Sequence, residues 1–402
     1  MAGERHELTQ LWAGVDIGRE HHHVAVVDAE GKRVFSRRVA NDETALLTVI
    51  GDVCALADRI GWAIDLNSTE SALLLTLLLD HGQQVAYVPG IMVNRAAAGY
   101  RGAGKTDAKD ALIIADQTRM RRDLTILDGD DELVVELRLL VARRQDLVAD
   151  RTRAVNRLHD QILAICPALE RALELTNQGP LILLTGFQTP AALRGIGVDA
   201  LTDWLRNRKV RNATVLAGKA VAAAETQHRT LPAERTAALL VAQLAQGVIT
   251  LNAQIKDIDR LIEDRFLRHP HAKVIISMPG IGILLGAEFL AATGTVDRFA
   301  TADRLANFAG VTPVPRDSGR ISGNLHRPKR YSRPLQRVFY TSALISVQSC
   351  PESRRFYDRK RAEGKHHTQA VLALARRRVN VLWALLRDNR PYQPTPPLAA
   401  AA

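Results

Sequence analysis

The chain has 402 residues, enough for two or three domains, with 47% apolar and only 4% aromatic residues. Its 54 Lys and Arg against 43 Asp and Glu leave a net charge of +11, which favours an anionic partner, nucleic acid first. Three scattered cysteines, Cys54, Cys166 and Cys350, form no CxxC pair, which argues against a zinc ribbon or a disulfide framework and suits a reducing cytosol.

In chain order, LWAGVDIG reads as a first strand closed by glycine, and HHHVAVVDAEGKRVFSRRVA as two strands around an AEGK turn. DETALLTVIGDVCALA reads as a helix capped by Asp42, WAIDL as a strand, SALLLTLLLDHG as a helix, QVAYVPG as a strand and TDAKDALIIADQTRMRR as a helix. Three strands, then alternating helices and strands, predict a mixed sheet with helices packed on it. From about residue 133 the pattern is wholly helical, in keeping with the abundance of Ala, Leu and Arg. Val148, Val155 and Ile162 recur every seven residues. Leu244, Val248, Leu251, Ile255, Ile258 and Ile262 alternate spacings of four and three. Such a seam predicts a coiled coil or a long antiparallel helix pair, and the expectation is that it drives self-association. A helical insert falls between about residues 175 and 235. The expected domains are 10–130, 131–270 and 271–388, with 389–402 a disordered tail. The opening MAGERHELTQ has no apolar signal core, and no apolar run is expected to reach the roughly 20 residues of a membrane span, so a soluble, cytoplasmic protein is expected.

Four carboxylates stand out by position. Asp16 ends the first strand, Asp65 ends the fourth, and Asp107 and Asp110 lie three apart at the start of a helix and so share a face. If the first and fourth strands are neighbours, these groups converge. Two Mg²⁺ ions would then neutralise them and clamp the attacking and leaving oxygens of a phosphodiester. Taken singly, each is also an ordinary surface or capping carboxylate, and Thr106 before Asp107 fits a helix cap. His21, His22 and His23 are consecutive strand residues that point to alternate faces, so they do not form a metal triad.

Towards the C-terminus, the PGIG turn in SMPGIGILLGAEFLAATG joins two apolar helices. Gly280 and Gly282 there would let backbone N–H groups approach a phosphate, as in a helix-hairpin-helix element, though a plain glycine turn reads equally well. Between Val311 and Arg378, 16 Lys and Arg stand against 4 Asp and Glu, a net of +12 that matches the excess of the whole chain. Arg316, Arg320, Arg327, Lys329 and Arg330 are candidate phosphate contacts. Within TPVPRDSGR, Ser318 reads first as a turn residue; among arginines its hydroxyl could also attack phosphorus.

GVDIG with Asp16, AIDLNSTESA with Asp65, GKTDAKDA with Asp107 and Asp110, MPGIG, and FAGVTPVPRDSG with Ser318 together resemble the insertion-sequence-110 transposases, the DEDD transposases whose members include bridge-RNA-guided recombinases. The resemblance implies a RuvC-like, ribonuclease-H-type N-terminal domain, a coiled-coil linker and a mostly helical C-terminal transposase domain. It implies Mg²⁺ on Asp16, Asp65, Asp107 and Asp110, and a phosphoserine intermediate on Ser318 that conserves phosphodiester energy. It further implies donor and target DNA paired to a structured guide RNA, and a dimer to tetramer in which one subunit's serine completes another's acidic site, in a nucleoid-associated enzyme. Two features depart from the family: Asp65 stands where glutamate is frequent, and ISGNLHRPKRYSRPLQR differs from the usual stretch after the serine. The alternative is a metal-dependent nuclease of the Holliday-junction type that uses water.

Overall fold

The computed structural model describes residues 10–65, 69–100, 104, 106–127, 132–294, 296–320 and 322–394. The chain divides into two compact units, Met1–Asp130 and Asp131–Ala402.

The N-terminal unit contains β1 (Gln10–Asp16), β2 (His21–Val27), β3 (Arg33–Ala40), α1 (Glu43–Cys54), β4 (Arg59–Ile64), α2 (Ala72–Asp80), β5 (Val85–Tyr87), α3 (Gly90–Ala97), α4 (Asp107–Met120) and β6 (Thr125–Leu127). The six strands form one sheet in the order β3-β2-β1-β4-β5-β6. β1 pairs antiparallel with β2 and parallel with β4, so the first and fourth strands are neighbours as expected. Alternation along β1 sends Ala13 and Val15 into a core shared with Leu46, Val49, Leu74 and Leu78 of α1 and α2. The opposite face packs Ala63 and Ala86 against Val93, Ile113 and Ile114 of α3 and α4. The sheet is therefore covered on both faces. Asp42 caps α1, accepting a hydrogen bond from the Ala45 N–H at 2.9 Å. The helix α3 and the short edge strand β6 were not anticipated from the sequence; β6 has three residues and pairs antiparallel with β5.

The second unit is built on helices. It comprises α5 (Glu132–Ile165), α6 (Pro167–Ala172), α7 (Gln178–Gly186), α8 (Pro190–Asn207), α9 (Ala213–Glu225), α10 (Glu234–Arg268), α11 (Ala272–Ser277), α12 (Ile283–Thr293), α13 (Ala302–Phe308), a hairpin of β7 (Val314–Pro315) and β8 (Leu325–His326), α14 (Arg333–Ser349), α15 (Pro351–Ala362) and α16 (His367–Arg387). The heptad seam is used within the chain. α5 and α10 run antiparallel, with Arg265 on Glu136 at 2.7 Å and Arg144 on Asp259 at 2.5 Å. Further along, Val155, Leu158 and Ile162 share a core with Val241, Ala245 and Val248. This intramolecular pairing buries Val248 and Ile262 of the seam, while Leu251, Ile255 and Ile258 stay half-buried, so the periodicity is used at least in part within the chain. α6 to α9 complete that core as the helical insert. A second core joins the far ends of α5 and α10 to α11–α14 and α16, through Leu137, Phe266, Phe289, Phe339 and Leu382.

Contrary to the sequence expectation, α10 is long and apolar enough, by length and composition, to cross a membrane. Its Val241, Ala245 and Val248 share a core with α5, and its Asp259 and Arg265 pair with Arg144 and Glu136 of that helix, as in one arm of a helix pair.

Candidate active site

The acidic edge follows from backbone geometry. Asp16 is two residues beyond Gly14 and so lies on the α4 face of the sheet. Asp65 directly follows β4 and is two beyond Ala63, on that same face. Val15 is in register with Ile64, which sets Asp16 beside Asp65 at the C-terminal ends of parallel neighbours. A hydrogen bond from the Ile17 N–H to Asp65 Oδ1, 3.2 Å long, ties the two strand ends together.

Gly14 lets α4 lie directly on β1. A Cβ at this position would stand 2.2 Å from the Ala115 nitrogen and 2.4 Å from the Ala111 oxygen. The direction of α4 is fixed at both ends. Its first residue, Asp107, acts electrostatically on His23, the register partner of Asp16. Towards its other end, Arg119 Nη1 donates to the Ala29 oxygen at 3.0 Å, in the turn between β2 and β3. The α4 N-terminus thus lies at the acidic end of β1. Thr106 caps it, its Oγ1 accepting from the Lys109 N–H at 3.2 Å, and the acidic first turn suits the helix dipole.

All four sequence-selected aspartates therefore fall at one edge of one sheet face. Asp16, Asp65 and Asp110 are half-buried and Asp107 is exposed. Four carboxylates are hard oxygen donors whose chemistry fits Mg²⁺ or a similar cation. Among the described residues, no three His, Cys, Asp or Glu side chains stand close enough to share one ion. The carboxylates are gathered at the edge but not closed into a coordination shell.

Two neighbours of the acids have contacts that the sequence reading did not assign. Tyr87, in register with Ile64, has its hydroxyl pKa raised by burial and then by the Asp65 charge. His23 has its pKa lowered by burial, with the Asp107 charge opposing, and its Nε2 lies 2.9 Å from Ser36 Oγ. Only strand pairing reveals either contact. His22 points the other way: it is buried and its Nδ1 accepts the Gly18 N–H at 3.2 Å. The alternation expected of the histidine triplet thus holds.

Ser318 lies in the loop joining β7 to β8 and is exposed. The base of that loop is tied. The Arg316 N–H donates to the Asn324 oxygen at 2.8 Å, and the Asn324 N–H donates to Asp317 Oδ1 at 2.9 Å. Asp317 is therefore engaged in holding the turn. Gly319 and Gly323 take positive φ of 54° and 76° to close it. The hairpin is anchored where Gly310, at φ 67°, packs on Tyr331; a Cβ there would stand 2.4 Å from the ring. Gln336 Nε2 also donates to the Gly310 oxygen at 3.0 Å. Arg316 and Arg320 flank the serine and are exposed. Arg327, Lys329, Arg330 and Arg333 line a shallow groove after β8, with no carboxylate in its lining.

The MPGIG turn joins α11 to α12. Gly280 is explained by packing: it takes φ 79°, and a Cβ would stand 2.5 Å from the Ser342 oxygen of α14. Gly282 precedes α12 in open space. Of the two glycines, Gly282 alone has room for a ligand beside it.

A family model for transposases of the DEDD type of IS110 elements matches residues 13–167, the range that holds all four aspartates. A second model, the IS116/IS110/IS902 transposase family, matches residues 272–358, which include Ser318. A 42 kDa protein of insertion element IS900 from Mycobacterium paratuberculosis is 56% identical over 97% of this chain and 99% of its own. A 44.8 kDa protein of insertion element IS116 from Streptomyces clavuligerus is 51% identical over 99% of both chains. A 43.6 kDa protein of insertion element IS110 from Streptomyces coelicolor is 36% identical over 95% of each.

Proposed function

We propose that this chain, which belongs to the IS110/IS116/IS902 family of transposases, enzymes that cut and rejoin DNA, works through the acidic edge of its sheet and the hydroxyl of Ser318. The observation that carries the reading is the convergence of Asp16, Asp65 and the capped start of α4 on one edge. The strand order β3-β2-β1-β4-β5-β6 supports a RuvC-like, ribonuclease-H-type assignment for the N-terminal unit.

Asp16, Asp65, Asp107 and Asp110 would hold the divalent ions, which neutralise charge on the reacting phosphate when bound. Ser318 Oγ forms a bond to phosphorus and the bond from phosphorus to the 3′ oxygen breaks. The serine gives up its proton and the departing oxygen gains one, leaving a phosphoserine ester and a free 3′-hydroxyl. Attack by a 3′-hydroxyl on that ester rejoins the DNA and restores the serine, with no external energy source. Arg316 and Arg320 would stabilise the charge on the phosphoryl oxygens. Arg327, Lys329, Arg330 and the backbone beside Gly282 would hold the strand, while Gly280 keeps the turn seated on α14.

A structured guide RNA pairing with donor and target DNA would choose the sites, and the serine of one subunit would serve the acidic edge of another in a dimer or tetramer. These two elements rest on the family resemblance.

The test is adduct trapping with wild-type protein, DNA carrying the element ends, its flanking RNA and Mg²⁺. A detergent-resistant protein–DNA species is expected, and it should vanish in Ser318→Ala and Asp107→Asn. Full cleavage by Ser318→Ala would reject the serine and favour hydrolysis by water.

A further inference from the structure

The strongest unexplained charge of the helical unit lies outside the hairpin. Arg378, on α16, is only 4% exposed. Its Nε and Nη2 donate to Ser342 Oγ at 2.9 and 2.6 Å, and Nη2 also donates to the Pro279 oxygen. All these acceptors are neutral, and Arg378 makes no ion pair among the described residues. A guanidinium buried without a counter-charge is costly, and an arginine does not escape that cost by losing its proton. Burial pulls its pKa down to about 10, the direction expected of a cation lacking its anion.

This guanidinium lines a cleft between α15 and α16 whose walls are also basic. Arg355, Arg359 and Arg377 line it and are exposed. Arg359 and Arg377 flank the ring of Phe356, at 5.1 and 5.3 Å from its centroid. Arg377 makes no ion pair among the described residues. Arg359 reaches Glu363 only at 4.0 Å. The one carboxylate of the lining, Glu352, pairs with Arg355 at 3.4 Å and accepts from Cys350 Sγ at 3.3 Å. Four cations against one carboxylate, with the rings of Phe356 and Tyr392 in the same lining, match the chemistry of a nucleic-acid backbone better than that of an acidic peptide, because arginine forks suit phosphate and a ring suits a base or sugar.

We propose that the α15–α16 cleft is a second backbone site, in which Arg355, Arg359 and Arg377 grip successive phosphates of a nucleic-acid strand and one phosphate faces Arg378. The inference rests on the transposase reading and adds to it a second hold on the strand, apart from the hairpin. DNA and RNA share this chemistry, and the experiment separates them.

Full-length protein is titrated by fluorescence anisotropy with a labelled DNA duplex, one of its single strands, and RNA of the same sequence, each over a range of salt. The Arg355→Ala, Arg359→Ala, Arg377→Ala triple variant, checked for an unchanged melting temperature, should lose at least about tenfold in affinity for one or more probes. Its salt slope should fall by about 2 to 3, since three phosphate contacts are removed. The probe most affected identifies the strand. Wild-type affinity and slope on all three probes would overturn the proposal. An Arg327→Ala, Lys329→Ala, Arg330→Ala variant is run beside it. If that variant weakens binding and the cleft variant does not, the cleft fails and the transposase reading stands. If the wild-type protein binds none of the probes, both fail.

Discussion

Gly14→Ala tests the contact on which the acidic edge depends. The added methyl would stand 2.2 Å from the Ala115 nitrogen, 2.4 Å from the Ala111 oxygen and 2.9 Å from the Ala115 Cα, all of them backbone atoms of one helix. No rotamer change relieves such contacts. Ordinary separation requires α4 to retreat from β1 by more than about 1 Å, in an interior packed as tightly as a crystal. Overpacking of this kind costs about 1–3 kcal/mol. The same retreat carries Asp107 and Asp110 away from Asp16 and Asp65, so stability and divalent-ion binding should fall together. Urea unfolding gives the first quantity, calorimetric titration with Mg²⁺ the second, and hydrogen exchange on α4 peptides shows where the loss occurs. Gly51→Ala is the internal control: it lies within α1 with nothing near its Cβ, and should stabilise by about 1 kcal/mol through helix propensity. If Gly14→Ala matches wild type in stability, ion binding and α4 protection, the helix does not hold the carboxylates in the way described.

Two further outcomes follow from the packing. Leu158 is fully buried in the seam between α5 and α10, so Leu158→Ala should cost about 2–5 kcal/mol in urea unfolding without altering oligomeric state in sedimentation; dissociation of an oligomer at unchanged stability would show that the seam lies between chains instead. His22 is buried, its pKa is lowered chiefly by that burial, and its Nδ1 accepts the Gly18 N–H. Its folded pKa lies below the unfolded 6.5, so the unfolded chain binds the extra proton. The His22 contribution is then complete above pH 6.5 and is lost as pH falls through the folded value. A His22→Gln variant should show a shallower loss of stability below pH 6.5 than wild type, and an identical pH profile would refute this assignment.

Much was settled by local pattern. Short apolar runs bounded by glycine and turn residues placed β1 to β5, cap chemistry placed the starts of α1 and α4 at Asp42 and Thr106, and the heptad spacing located the long helices. These features depend on interactions a few residues apart, so the chain alone determines them. The motifs around Asp16, Asp65, Asp107, Asp110 and Ser318 likewise singled out the family, because each is contiguous in sequence.

Tertiary structure decided what depends on distant partners. Only the pairing of β1 with β4, and the passage of α4 over Gly14, bring the four aspartates to one edge. Gly280 reads equally as a phosphate-binding glycine or a plain turn in sequence, and only the packing of α14 against it shows a steric need for glycine there. The heptad seam gave periodicity without naming its partner, since the same stripe packs equally well on another chain or on α5. Arg378 was one basic residue among sixteen in its stretch. Its burial, and the basic cleft beside it, arise only when α11, α14, α15 and α16 assemble, because the cost of a buried charge is set by what surrounds it in space.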